Sequence, residues 1–138
     1  MGIKELSQQF KHFLVDKDID FSEDKEHNII SFKYNELSYL FVTQNDTGNY
    51  FRLILPRILV VGETERNEML ETLNEMNSNF KCVKSTIEND EVWMKVEQLV
   101  YSTQDVNTLF NSTLQLLESV ILYLRNRIAE KQITESED

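Results

Sequence analysis

The stretch STQDVNTLFNSTLQLLESVILYLRNRIAEK, residues 102–131, decides the fold of this chain of 138 residues. Within it Val106, Leu109, Phe110, Thr113, Leu114, Leu117, Val120, Ile121, Leu124 and Ile128 recur at steps of three and four. That spacing places side chains on one face of an α-helix, so the segment predicts one helix from Ser102 to about Lys131. At ~1.5 Å per residue such a helix is about 42 Å long, more than one small sheet requires. Leu116, Leu122 and Tyr123 lie off the main stripe and widen the apolar surface. Part of that width is expected to face a second chain, and a two-fold homodimer is the simplest closed arrangement.

Upstream, a shorter helix is predicted from Ile3 to Asp16, with Ile3, Leu6, Phe10, Phe13 and Leu14 on its buried side. Asp18 to Ser22 alternates weakly and reads as a short edge strand. Period two then sets in: Ile30, Phe32 and Tyr34 share one side, and after an Asn35-Glu36 turn Leu37, Tyr39 and Phe41 do the same. Gln44 to Asn49 is a turn in which Gly48 supplies positive φ. A strand from Tyr50 follows; Pro56 cannot donate to a ladder, which predicts an edge position or a bulge there. A second helix, to about Asn77, carries Met69, Leu70, Leu73 and Met76. A hairpin turning at Glu88–Glu91 completes the pattern, with Phe80 and Cys82 in its first strand, and Ser102 with Asp105 reads as the cap of the last helix. The predicted fold is α+β, in the order α-β-β-β-α-β-β-α: a mostly antiparallel twisted sheet packed by the first and last helices. One domain over residues 1–133 is expected, with 134–138 as a disordered acidic tail.

Composition excludes several functions. The formal charge of −10 disfavours nucleic acid and anionic membranes, both of which recruit clustered cations. Residues 61–102 alone hold 9 acidic and 4 basic side chains. Glu63, Glu65, Glu68, Glu71 and Glu75 read either as a solvated helix face or as an acidic docking surface for a basic partner. No apolar run reaches membrane-spanning length and no secretory h-region opens the chain, so the cytoplasm is expected.

Chemistry finds little footing. His12 and His27 are far apart, and the acids from Asp16 to Glu26 alternate as in a calcium loop but lack its glycine and include Phe21. Cys82 is the only cysteine and reads as a small core hydrophobe. No nucleophile elbow, phosphate loop or dinucleotide fingerprint is present. No catalytic, cofactor-binding or metal-ligating residue is therefore assigned, and an enzyme is not expected. Tyr34, Tyr39, Tyr50, Phe51, Trp93 and Tyr101 either pack against helices or line a groove for an extended peptide.

The run Leu70-Glu71-Thr72-Leu73-Asn74-Glu75-Met76-Asn77 resembles the L-N-x-[LM]-N helix ending of the YbjN-like family. Phe80-Lys81-Cys82-Val83, the hairpin after it and Thr103-Gln104-Asp105 before a long terminal helix extend the likeness. The fold of that family resembles the type III secretion chaperones, which hold an extended effector segment around a homodimer. Asn74 and Asn77 read as structural groups at a helix end. The resemblance implies a non-enzymatic, chaperone-like protein that holds a peptide or partner protein. The alternative is a regulatory or sensory protein with a small ligand between helix and sheet. The candidate interaction surface is Leu116, Leu122, Tyr123, Trp93 and Tyr101.

Overall fold

Apolar side chains alternating along successive strands build a six-stranded sheet with one greasy side, and the helices close over that side. The computed structural model describes residues 3–44, 49–101 and 105–137, with side chains over 6–44, 49–101 and 105–131. Helix α1 (Ile3–Asp16) precedes β1 (Phe21–Asp24), β2 (Ile29–Tyr34), β3 (Leu37–Thr43) and β4 (Tyr50–Val60). A 3-10 turn at Glu63–Glu65 leads into α2 (Arg66–Asn79), then β5 (Val83–Glu88), β6 (Glu91–Leu99) and α3 (Val106–Glu137). This is the predicted α+β order, with the weak edge strand realised three residues later than its alternation suggests. The side chain of Ile3, the turn at Asn45–Gly48, the Ser102 cap and the side chains of the tail 134–138 lie outside the described residues.

The strands run in the order β1-β2-β3-β4-β6-β5, and each neighbouring pair is antiparallel. Register sets the two faces. Ile30 pairs with Phe41, Phe41 with Leu53, Leu53 with Val96 and Val96 with Val83, so one apolar row crosses five strands. The β2–β3 hairpin turns on Asn35 and Glu36 at φ 49° and 68°, and β5–β6 on Asn89 and Asp90 at 52° and 62°. Two consecutive positive φ values are the geometry whose twist matches antiparallel strands.

Pro56 takes the second of its two predicted roles. Strand β4 lies inside the sheet between β3 and β6, not at an edge. Its register slips between Leu55, opposite Met94, and Leu59, opposite Val92. The missing N–H of Pro56 falls in that bulge, and Arg57 absorbs the distortion at φ 49°.

Phe110 of α3 meets Phe10 of α1 edge-on at 5.0 Å, and Phe10 stacks on Phe41 of β3 at 3.9 Å. Phe110 also stands against Phe51 of β4 at 5.5 Å. Leu114, Leu117, Val120 and Leu124 continue the buried stripe along α3. Helix α3 starts at Val106 because Asp105 caps it: the carboxylate accepts from the N–H groups of Asn107 and Thr108 and from the Thr108 hydroxyl at 2.8 Å.

The Thr108 hydroxyl bond, then the backbone bonds, lowers the Asp105 pKa below the ordinary 3.8. A depressed carboxylate stabilises the folded state above its unfolded pKa and loses that contribution as pH falls through the folded value. Asp105→Ala is therefore expected to melt below the parent at neutral pH, with the gap closing in melts taken below pH 3.8. In the stripe, Leu117→Ala should cost about 2–5 kcal/mol in denaturant titrations. Leu122→Ala, at a site 58% exposed, should cost about 0.5 kcal/mol or less.

Candidate functional site

Helix α2 packs beside the C-terminal half of α3; Leu73 and Met76 enter the core, and a set of polar contacts completes the attachment. The Asn77 side-chain amide donates to the Ser85 carbonyl at 3.0 Å and accepts from the Ser85 N–H at 2.8 Å. It thus stands in for a neighbouring strand along the outer edge of β5, where the backbone would otherwise lack partners. Phe80 ends α2, its N–H bonding to the Met76 carbonyl, and its ring meets Tyr123 edge-on at 5.3 Å. Tyr123 donates to Glu75, and Arg127 pairs with the same carboxylate at 3.0 Å. Lys131 pairs with Glu68 one turn further on.

Between these helices and the end of β4 lies an open groove of about 720 Å³. Leu59, Val61, Met69 and Ile128 supply its apolar lining, and Glu65, Glu68, Glu71, Glu75 and Glu130 its acidic one, against the cations Arg127 and Lys131. The 3-10 turn shapes the near end. The Glu65 carboxylate lies over Gly62, in the space a β-carbon there would need. Four of the five glutamates of the acidic segment, Glu65, Glu68, Glu71 and Glu75, line this concavity beside apolar residues, the lining that a docking surface requires.

The candidate surface residues do not form one patch. Leu116 and Tyr123 are partly buried against their own core, so two of the three side chains that widen α3 are used within the chain. Leu122 alone stays largely exposed. Trp93 lies on the far side of the sheet, paired with Thr86, while Tyr101 is 60% exposed beyond the end of β6. The groove residues Met69 and Ile128 were visible only as ordinary members of two helical stripes.

Cys82 is a correction. It is exposed, at φ 69°, and precedes β5 instead of packing within it. Alternation counted from Phe80 fails because Phe80 belongs to the helix end, and the buried strand positions are Val83 and Ser85. His27 bonds to Asp24 at 2.8 Å and holds the Asp24 pKa below its usual value. Among the described residues no group of His, Cys, Asp or Glu converges to hold a metal. No described helix is long and apolar enough to cross a membrane.

Removing the Asn77 amide leaves two Ser85 backbone groups without their partner. Asn77→Ala is expected to cost about 1–3 kcal/mol. Amide exchange at Ser85 should accelerate more than at Val96 on the neighbouring strand. Equal acceleration at both amides would show that the bond does not pin this edge.

No curated protein matches the chain. A solved structure does: "Crystal structure of YbjN, a putative transcription regulator from E. coli" superposes with a TM-score of 0.61 at 12% identity, covering 87% of this chain and 91% of that one. At such identity the likeness shows the fold and leaves function to the site. The pattern of the YbjN family, described as "Putative bacterial sensory transduction regulator", matches residues 7–118, from within α1 to the middle of α3. By that match this chain belongs to the YbjN family.

Proposed function

We propose that this protein is a non-catalytic regulator that works by holding a peptide segment or partner protein in the α2–α3 groove. The observation that carries the reading is the pairing of apolar and acidic linings in one concavity. A segment with alternating basic and apolar side chains complements both, the apolar part by burial and the basic part by charge. The regulatory description of the family agrees with such a role. The chaperone-like reading, in which an extended segment is held, belongs to the same proposal. So does the homodimer, whose apolar support on α3 narrows to Leu122.

A small ligand between helix and sheet finds less support. That interface is filled by Phe10, Phe41, Phe51 and Phe110, none more than 1% exposed. Rings packed to this density leave such a ligand to displace core side chains.

A photo-reactive benzoylphenylalanine at Thr72, on the groove wall, tests the proposal in native cells. Irradiation is expected to give a discrete protein adduct that Glu71→Lys diminishes. The same group at the exposed Lys25 should give none. No adduct from Thr72, or equal adducts from both positions, would count against the groove.

A further inference from the structure

The six strands have two faces, and among the described residues the helices cover only one. On the other, register aligns Ser31, Leu40, Ile54, Lys95 and Lys84 across five strands. The adjacent row holds Ile29, Val42, Arg52 and Glu97. Val42 and Ile54 are only 7% exposed although no helix lies over them. Neighbouring side chains on the sheet shield them, which leaves an apolar centre with a polar rim.

That rim is unusual for a chain of net charge −10. Lys33, Arg52, Arg57, Lys84 and Lys95 all lie on or beside this face. Lys84 and Lys95 pair with Glu97 and Glu88 on the β5–β6 half. Lys33, Arg52 and Arg57 form no ion pair among the described residues. The bulge at Pro56 brings Arg57 beside Lys33 at a depression of about 450 Å³, where Ser22, Ser31 and Ser38 supply hydroxyls and Asp20 a single carboxylate. The acidic side chains of α2 lie on the opposite side of the molecule, with the helices.

We propose that this open sheet face docks an acidic, partly apolar segment of a partner protein. Carboxylates of the segment face Lys33, Arg57 and Arg52, and its apolar side chains cover the half-buried Leu40 beside Ile54. Charge complementarity selects the class of partner: cations left unpaired on a strongly acidic protein attract anions and repel basic segments. The apolar centre selects a peptide over a small anion, which gains nothing from the half-buried Leu40. This surface is separate from the α2–α3 groove, and its occupant has the opposite charge.

Amide shifts of the isotope-labelled full chain test it with three probes: a short peptide alternating glutamate and leucine, its lysine–leucine counterpart, and sodium phosphate. The glutamate peptide is expected to shift the amides of Leu40, Ile54 and Lys95, and salt should weaken it. Lys33→Glu combined with Arg57→Asn should weaken it at least about tenfold, Asn being tolerant of the positive φ at that position. Matching thermal melts of parent and variant establish that the fold is retained, and Lys33→Glu alone serves if the pair is unstable. The proposal is overturned by an absence of shifts at these amides, or by shifts undiminished in the variants. It is equally overturned by the same shifts from the lysine peptide, from phosphate alone, or from raising protein concentration without peptide. Groove amides such as Met69 and Thr72 report separately, so failure here is distinguishable from failure of the groove.

Discussion

The contact on which the architecture depends is the cluster of Phe10, Phe41, Phe51 and Phe110. One ring comes from each of α1, β3, β4 and α3, and each is at most 1% exposed. Aromatic pairs of this kind add about 0.5–1.5 kcal/mol beyond the apolar area they bury. Their larger effect is geometric. Phe110 meets Phe10, Phe13, Phe41 and Phe51 within 5.7 Å, so the start of α3 is fixed against α1 and the middle strands together. With that end pinned, a straight helix is obliged to run along the same face towards β5 and β6. Both terminal helices then fall on one side, and the other side of the sheet is left open.

Helix α2 is held differently. Leu73 and Met76 enter the core, with Met69 packed against it, and its other ties include the Asn77–Ser85 bonds, the Phe80–Tyr123 contact and the ion pairs of Arg66 to Asp90, Glu75 to Arg127 and Glu68 to Lys131. Exposed ion pairs contribute little, with a median near 0–1 kcal/mol. An element secured by two buried side chains and a polar seam opens more easily than one embedded in aromatic packing. The groove thus has one rigid wall, α3, and one adjustable wall, α2. A site that accepts partner segments of differing shape benefits from that asymmetry.

Much of this was legible from residue order. The α3 stripe, the alternation of β2 and β3 and the turns at Asn35-Glu36 and Asn89-Asp90 each follow from local chemistry, and tertiary packing agrees with them. Readings stay open or go wrong where local pattern and tertiary placement part. Pro56 allowed either an edge position or a bulge because its missing donor is a local fact, whereas the bulge that accommodates it depends on β6, which arrives more than thirty residues later. Cys82 continued an apparent alternation that the end of α2 had already interrupted. Leu116 and Tyr123 looked surplus because the packing each makes within the chain, Tyr123 against Phe80 at the end of α2, is invisible in a single helical stripe. The cations of the open face were the hardest to see. Lys33, Arg52, Lys84 and Lys95 come from four strands, and only register makes them neighbours.

The two surfaces divide the charge of the molecule. Acids gather on the helical side, around α2, and unpaired cations on the bare sheet. At physiological ionic strength the Debye length is about 8 Å, so each face acts over its own neighbourhood with little cancellation by the other. The net charge describes neither face. On the roles proposed for the two faces, a basic segment is drawn to the groove and repelled by the sheet, and an acidic one the reverse. Sorting of this kind acts on encounter and orientation more than on final affinity, which rests on the apolar centres of both surfaces. Occupied as proposed, two opposed surfaces on one small domain would let two unlike partners be held at once, with the aromatic cluster as the rigid body between them.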